Sequence, residues 1–318
     1  MANVKTLLTT KVSKSVWALW AILILLFLVT GLVDNYFWSI PSLGVTLQLA
    51  VPLGLLAAGQ TLCMLTGGID LSIAMIATGA AYIVSVKSSS GLLIAILWAI
   101  LYCVTIGVIN GLAIGVMKIN PLIMTLGMNA VLIGVFTVGV STFLKGSTTM
   151  PEVLVTLSSG TIIDPLSWPL IVWIIIGGLV LFLLARTGLG RLIYAIGDNA
   201  QSARLAGIKV WKVQLATYVL CALLGGLGGI MLGGQSGAVA ISLANSYMLP
   251  SVAAVVIGGT SIMGGFGGYT GSIMGALILT VLSYLLSALN TSEAVKQIIY
   301  GGIVLALAWT YVRLSEKS

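Results

Sequence analysis

The chain has 318 residues, of which 14 are basic, 7 acidic and 59% apolar, and its 7% of charged residues compares with about 25% in soluble domains. So little charge cannot cover a water-soluble fold, which leaves an integral membrane protein. The chain has no histidine, which excludes imidazole bases, His-paired nucleophiles and His metal ligands, and in a membrane chain the net charge of +7 bears on orientation rather than on nucleic acid.

A bilayer core needs about 20 mainly apolar residues per helix. The first such run is 16–33, with Lys5, Lys11 and Lys14 ahead of it. It is longer than a signal-peptide core of about 7–15 residues. Asp34-Asn35-Tyr36 follows it in place of a small-x-small cleavage site, so it reads as a retained helix with residues 1–15 in the cytoplasm. Further spans are expected at 42–60, 63–86, 91–117, 121–144, 168–185, 213–233, 249–264, 270–289 and 295–312. The expected fold is therefore an all-α membrane protein, a single transmembrane domain over 1–318, with about ten helices and both termini cytoplasmic, the tail being 313–318. The second and eighth spans contain Pro52 and Pro250 beside glycines. They are expected to be broken or re-entrant, which the bilayer tolerates only where protein or a water-filled path covers the freed backbone.

Charge placement supports this topology. Eleven basic residues fall on the cytoplasmic side (Lys5, Lys11, Lys14, Lys118, Arg186, Arg191, Arg204, Lys209, Lys212, Arg313 and Lys317) against Lys87, Lys145 and Lys296 outside, as the positive-inside rule requires. Two connections are long. The outer one, 145–167, carries Glu152 and Asp164; the inner one, 186–212, carries five basic residues and Asp198. Cys63, Cys103 and Cys221 lie far apart in apolar runs and read as small buried hydrophobes.

Within the inner connection, Asn199 suits an N-cap, 200–206 a helix of about two turns and Gly207 the residue after its end. So short a helix needs a surface to pack on. It is either a lipid-anchoring positive loop or a docking element, with Ala203 and Gly207 forming a small-residue face and Arg204 reaching a partner carboxylate.

Three motifs resemble one family: LTGGIDLSIAM at 65–75, TGLGRLIYAIGDNAQSARLAGIKV at 187–210 and AAVVIGGTSIMGGFGGYTGSIMGALI at 253–278, followed by KQIIYGGIVLALA. In order and spacing they are similar to the permease subunits of bacterial ribose/xylose-type sugar importers driven by ATP-binding-cassette subunits. The resemblance implies a coupling helix that sits in an ATPase subunit, here carried by Gly197, Asn199, Ala203, Arg204, Leu205 and Gly207. It also implies a second permease subunit, identical or related, and a periplasmic sugar-binding protein; Glu152 and Asp164 are the contact candidates for that protein. Two positions depart from the family pattern. Tyr247-Met248-Leu249-Pro250 lacks an acidic pair frequent there, and Ala200 replaces a glutamate.

No GxxxxGK[ST] motif occurs, so the chain cannot cradle ATP phosphates by the P-loop route, and ATP with Mg²⁺ would belong to the partner ATPase. The chain itself is expected to bind no cofactor or metal and to catalyse no reaction. The alternative is an ion-coupled secondary transporter, which ordinarily keeps ionisable groups at mid-membrane; Asp70 is the one acid near a span interior. An intramembrane aspartyl protease would need two paired carboxylates, and Asp34, Asp164 and Asp198 fall in loops. Asp70 reads either as a first-turn acid at a helix N-terminus or as part of a cytoplasmic gate. Gln60, Asn129, Gly259, Thr260 and Ser261 are the other gate or pathway candidates. The glycines at 225–229 and 264–275 have spacing that lets helices approach closely, within one subunit or between two.

Overall fold

The computed structural model describes residues 4–142 and 144–315, with side chains over 17–306 apart from Ala18 and Phe143. The side chains of Lys5, Lys11, Lys14, Trp309, Tyr311, Arg313 and Lys317 lie outside the described residues. In chain order the helices are α1 (Val4–Val33), α2 (Ile40–Leu65), α3 (Ile73–Lys87), α4 (Leu92–Gly115), α5 (Pro121–Ser141), α6 (Glu152–Ser159), α7 (Trp168–Arg186), α8 (Gly188–Leu205), α9 (Val210–Ser236), α10 (Met248–Ile257), α11 (Tyr269–Ala288) and α12 (Glu293–Ser315). The antiparallel strands β1 (Thr161–Ile163) and β2 (Leu166–Ser167) form a small hairpin between α6 and α7. Each expected span contains a helix. Among the described residues, α2, α4, α5, α7, α9 and α11 are long and apolar enough to cross a bilayer, so the chain is an all-α, multi-pass membrane protein.

Helix α9 is the hub, packed against α2, α3, α4 and α6. Its glycines make this possible. A methyl group on Gly229 would fall on the Ala77 carbonyl of α3, one on Gly226 on Cys103 of α4 and one on Gly228 on Leu56 of α2. Gly271 and Gly275 likewise let α11 lie against Gly258 and the Ala254 carbonyl of α10. These glycines therefore serve packing within the subunit. Outward, α4, α5 and α7 present Leu97, Trp98, Val131, Ile174 and Phe182, a surface suited to acyl chains. Trp173, by contrast, turns inward and donates to the Tyr269 hydroxyl at 2.7 Å, which in turn donates to the Gly54 carbonyl at 2.9 Å.

Several boundaries differ from those read in the sequence. The second span does not break at Pro52, because α2 runs through it and ends at Leu65. A proline inside a helix frees the carbonyl four residues back, here that of Gln48, and Gln235 of α9 donates its amide to this oxygen at 2.8 Å. The third helix starts at Ile73 rather than at 63, since residues 66–72 form a packed loop. The eighth span is short, ten residues, and the carbonyl of Ser246, four residues before Pro250, accepts the Gln297 amide at 3.0 Å. The 145–167 connection is not irregular throughout, since it contains α6 and the hairpin. Most of the 186–212 connection is helix α8, opened by Thr187, whose hydroxyl accepts from the Gly190 amide at 3.1 Å.

Candidate functional site: the α8 junction and two cavities

Helix α8 is two helical pieces joined at Asn199, whose backbone is extended (φ −157°, ψ 100°). The Asn199 side chain accepts the Ser202 amide at 2.8 Å and so caps the second piece, as its residue type favours. Gly207 ends the turn with φ +84°. Leu205 is 84% exposed, and Arg204 and Gly207 are also open to solvent. Ala203 is buried, with Ile193 and Ile196 of the first piece, whereas Gly207 is exposed.

Gly197 joins α8 to the rest of the molecule. A methyl group there would fall on the Leu65 carbonyl oxygen and on the Gly265 amide, which are themselves hydrogen-bonded at 3.0 Å. The ends of α2 and of the segment after α10 thus meet at this one glycine. The Tyr194 hydroxyl adds a second tie, donating to the Gly267 carbonyl at 2.9 Å. Burial raises this phenol above its ordinary pKa, so it remains a donor at neutral pH.

The loop at the end of α2 is held from every side. Gln60 donates to the Asp70 carbonyl at 2.7 Å and accepts the Asp70 amide at 3.1 Å. Thr125 of α5 accepts the Leu71 amide at 3.0 Å. The Asp70 carboxylate accepts the Ser72 amide at 2.9 Å and also the Ser72 hydroxyl, while Asn110 of α4 donates to that hydroxyl oxygen at 3.0 Å. Gln60, Asp70, Ser72, Asn110 and Thr125 are fully buried. The Asp70 side chain therefore orders the turn just before α3 through Ser72, within a buried polar cluster that Gln60 of α2 and Asn110 of α4 complete. Sequence separation concealed that Cys63 and Cys221 meet here, their sulfurs within 4.8 Å of each other and of an Asp70 oxygen.

Beyond α10, Thr260 and Ser261 shape their own loop. Thr260 Oγ1 accepts the Gly268 amide at 3.3 Å, Ser261 Oγ accepts the Met263 amide at 3.1 Å, and Gly259 has φ +81°. Asn129 stands apart on α5, its Oδ1 buried without a hydrogen-bond partner. Of the candidates, Gln60 and Asp70 come together, Gly259, Thr260 and Ser261 form a separate loop, and none of the six lines either cavity.

The cavities lie at opposite ends of α2. One, about 280 Å³, is lined by Thr66–Gly68, the α4–α5 turn with Lys118, and Ala200 and Arg204 of α8. The other, about 340 Å³, lies among α2, α10, α11 and α12 and includes Thr46, Tyr247, Pro250, Thr280, Tyr284 and Tyr300. Sequence reading missed the second cavity because its lining comes from four separated segments. The one hint was the unusual run at 247–250, two of whose residues line it. The hairpin packs at this end of α2, where Pro165 meets Gly44 and Gln48 approaches Thr161 at 3.4 Å. At about 1.5 Å per residue, the hairpin lobe and α8 are therefore separated by nearly the full length of a 26-residue helix. Glu152 begins α6, Asp164 sits in the hairpin turn, and both are exposed.

Comparison with known proteins bears on this two-ended design. Residues 42–308 match the family described as branched-chain amino acid transport system / permease component. The chain belongs to this family. The permease is 35% identical over 296 residues to the ribose import permease protein RbsC of Escherichia coli K12, covering 90% of this chain and 89% of that one. It is 29% identical over 300 residues to the autoinducer 2 import system permease protein LsrC of E. coli O9:H4, covering 93% and 86%, and 31% identical to LsrC of Photorhabdus luminescens, covering 93% and 88%. No solved structure matches it. Membership makes the permease the membrane-embedded transport component of an ATP-binding-cassette importer in the inner membrane, with ATP hydrolysis carried out by partner subunits. The resemblance read in the three motifs agrees with this.

Proposed function

We propose that the permease passes a small neutral sugar of the ribose type and is driven through α8 by a cytoplasmic ATPase subunit that holds ATP and Mg²⁺. Ten spans would place both termini and α8 in the cytoplasm, with the 145–167 lobe and its Glu152 and Asp164 facing a periplasmic binding protein. A second permease subunit, identical or related, would complete the pathway. The single observation that carries the coupling role is the meeting of α8, α2 and the loop after α10 at Gly197. A displacement of α8 there has no slack to absorb it and is passed to two helices that reach the far cavity. The movement of such packed elements between two arrangements is an established way of switching access. The sugar assignment rests on the RbsC and LsrC relatives and on a cavity rich in hydroxyl groups.

Arg204→Glu tests the coupling role. The variant should insert and fold as the parent does, because Arg204 is exposed and away from the Gly197 contact, yet ATP-driven uptake should fall at least tenfold in vesicles containing the whole importer. Uptake at the parental rate would refute the role of α8. Affinity purification from the native membrane should bring down an ATPase and a binding protein, and the absence of both would refute the assembly.

A further inference from the structure

The 340 Å³ cavity has the size of a small-molecule site, a class that runs from about 300 to 1,000 Å³, and its hydrogen-bonding chemistry is one-sided. A hydroxyl has one proton to donate and two lone pairs to accept with. Thr46 gives its proton to the Ser42 carbonyl at 2.9 Å, Thr280 to the Ala276 carbonyl at 2.9 Å and Tyr284 to Asp34 Oδ2 at 2.8 Å. Their protons are committed to the protein, so these three oxygens can offer a ligand only lone pairs. Ser246 Oγ and the Tyr247 hydroxyl make no hydrogen bond among the described residues and can both give and accept. Charge is confined to one edge, where Glu293 lies 3.6 Å from Lys296; that ammonium also donates to Ser287 at 2.7 Å. A carboxylate or phosphate would find no uncommitted cation here, whereas a solute bearing many O–H donors and no charge would find acceptors on several sides with tyrosine rings beside them.

The geometry points to a solute-recognition site in this cavity, selective for neutral polyhydroxylated molecules over zwitterionic amino acids, so that the permease screens its cargo as well as conducting it. The inference rests on the transport reading above and deepens it, since the family's descriptive name refers to branched-chain amino acids and its relatives here import ribose and autoinducer 2.

Cysteine accessibility provides a test on the purified full-length permease. All three native cysteines are buried, so a thiol introduced by Ser246→Cys, or by Ser283→Cys as an independent reporter, is the one expected to react with a membrane-impermeant methanethiosulfonate. D-ribose or D-xylose should slow that reaction, and L-leucine at equal concentration should not. Adding Tyr247→Phe or Tyr284→Phe should raise the half-protecting sugar concentration roughly three- to tenfold, as for the loss of one neutral hydrogen bond. No protection by either sugar, equal protection by leucine, or no reaction at both reporters in the absence of sugar would each overturn the proposal. ATP-driven sugar uptake by an importer whose reporter thiol is unprotected would sink this inference alone. Protection by sugar together with parental uptake by the Arg204→Glu importer would sink the coupling assignment and leave the site standing.

Discussion

Two segments of the molecule follow one plan and differ in how tightly they are closed. In each, a proline-bearing helix ends at a Gly-Gly pair, Gly67-Gly68 after α2 and Gly258-Gly259 after α10, and a loop leads to the next helix. In each, the carbonyl four residues before the proline accepts a glutamine from another helix: Gln235 reaches the Gln48 carbonyl within α2, and Gln297 reaches the Ser246 carbonyl just before α10. The closures differ. After α2, a buried carboxylate and four buried polar side chains fix a seven-residue loop. After α10, the loop is glycine-rich, is shaped by Thr260 and Ser261 with ties from Tyr194 and the Leu65 carbonyl, and leaves Met263 and Phe266 67% and 50% exposed. One side of the junction is thus a fixed abutment. The other has fewer buried polar side chains and more glycine backbone freedom, which are features of elements that open at low cost.

The largest effect should come from the point where the two segments meet. Gly197→Ala places a methyl group against a carbonyl oxygen and an amide that belong to different segments, so neither can move without breaking the bond between them. Overpacking of this kind costs about 3 kcal/mol at the upper end. Thermal unfolding in detergent should show a clear fall in midpoint, with uptake lost. Gly207→Ala, in open space at φ +84°, carries only the left-handed backbone penalty of about 1–2 kcal/mol. A loss at Gly197→Ala no larger than that at Gly207→Ala would show that close approach at Gly197 is not what holds the junction, since Gly197 has an ordinary helical backbone.

The next effect separates the two loops. Asp70→Ala would remove the acceptor of the buried Ser72 amide and hydroxyl, at a cost of about 1–3 kcal/mol. In the other loop, Thr260→Val would remove one long bond of 3.3 Å to the Gly268 amide and should cost less than about 1 kcal/mol. Denaturation midpoints of the two variants give the comparison directly. A larger loss for Thr260→Val would reverse the assignment of fixed and yielding sides.

The helices were legible in the sequence because hydrophobic runs of bilayer length constrain their neighbours little; their ends were not. Along α2, which runs through Pro52 to Leu65, the Gln48 carbonyl finds its donor in Gln235, 187 positions away, and local pattern carries no trace of that partner. Asn199 and Gly207 were readable as caps because their roles are local. Which side of this short helix is buried, with Ala203 turned inward, was not legible, because it depends on what the helix packs against. The meeting of Cys63, Cys221 and Asp70 and the hydroxyl-lined cavity were invisible for the same reason, since α2, α9, α10, α11 and α12 must first be placed together.

The smallest predicted effect tests whether the glutamines are compensations for the prolines or incidental contacts. Gln235→Leu leaves the Gln48 carbonyl without its side-chain donor and should cost about 1 kcal/mol. Pro52→Ala restores an amide that can donate to the same carbonyl, so in the Gln235→Leu background it should recover most of that loss. The double-mutant cycle should then show coupling of at least about 0.5 kcal/mol, as expected for residues sharing one partner. The Gln297→Leu and Pro250→Ala pair should show no such coupling, because Pro250 lies in the first turn of α10, where amides have no acceptor within the helix, and Ser246 precedes that helix. Additive effects in the Gln235 and Pro52 cycle would mean that Pro52 is tolerated for another reason and that the Gln235 contact is incidental.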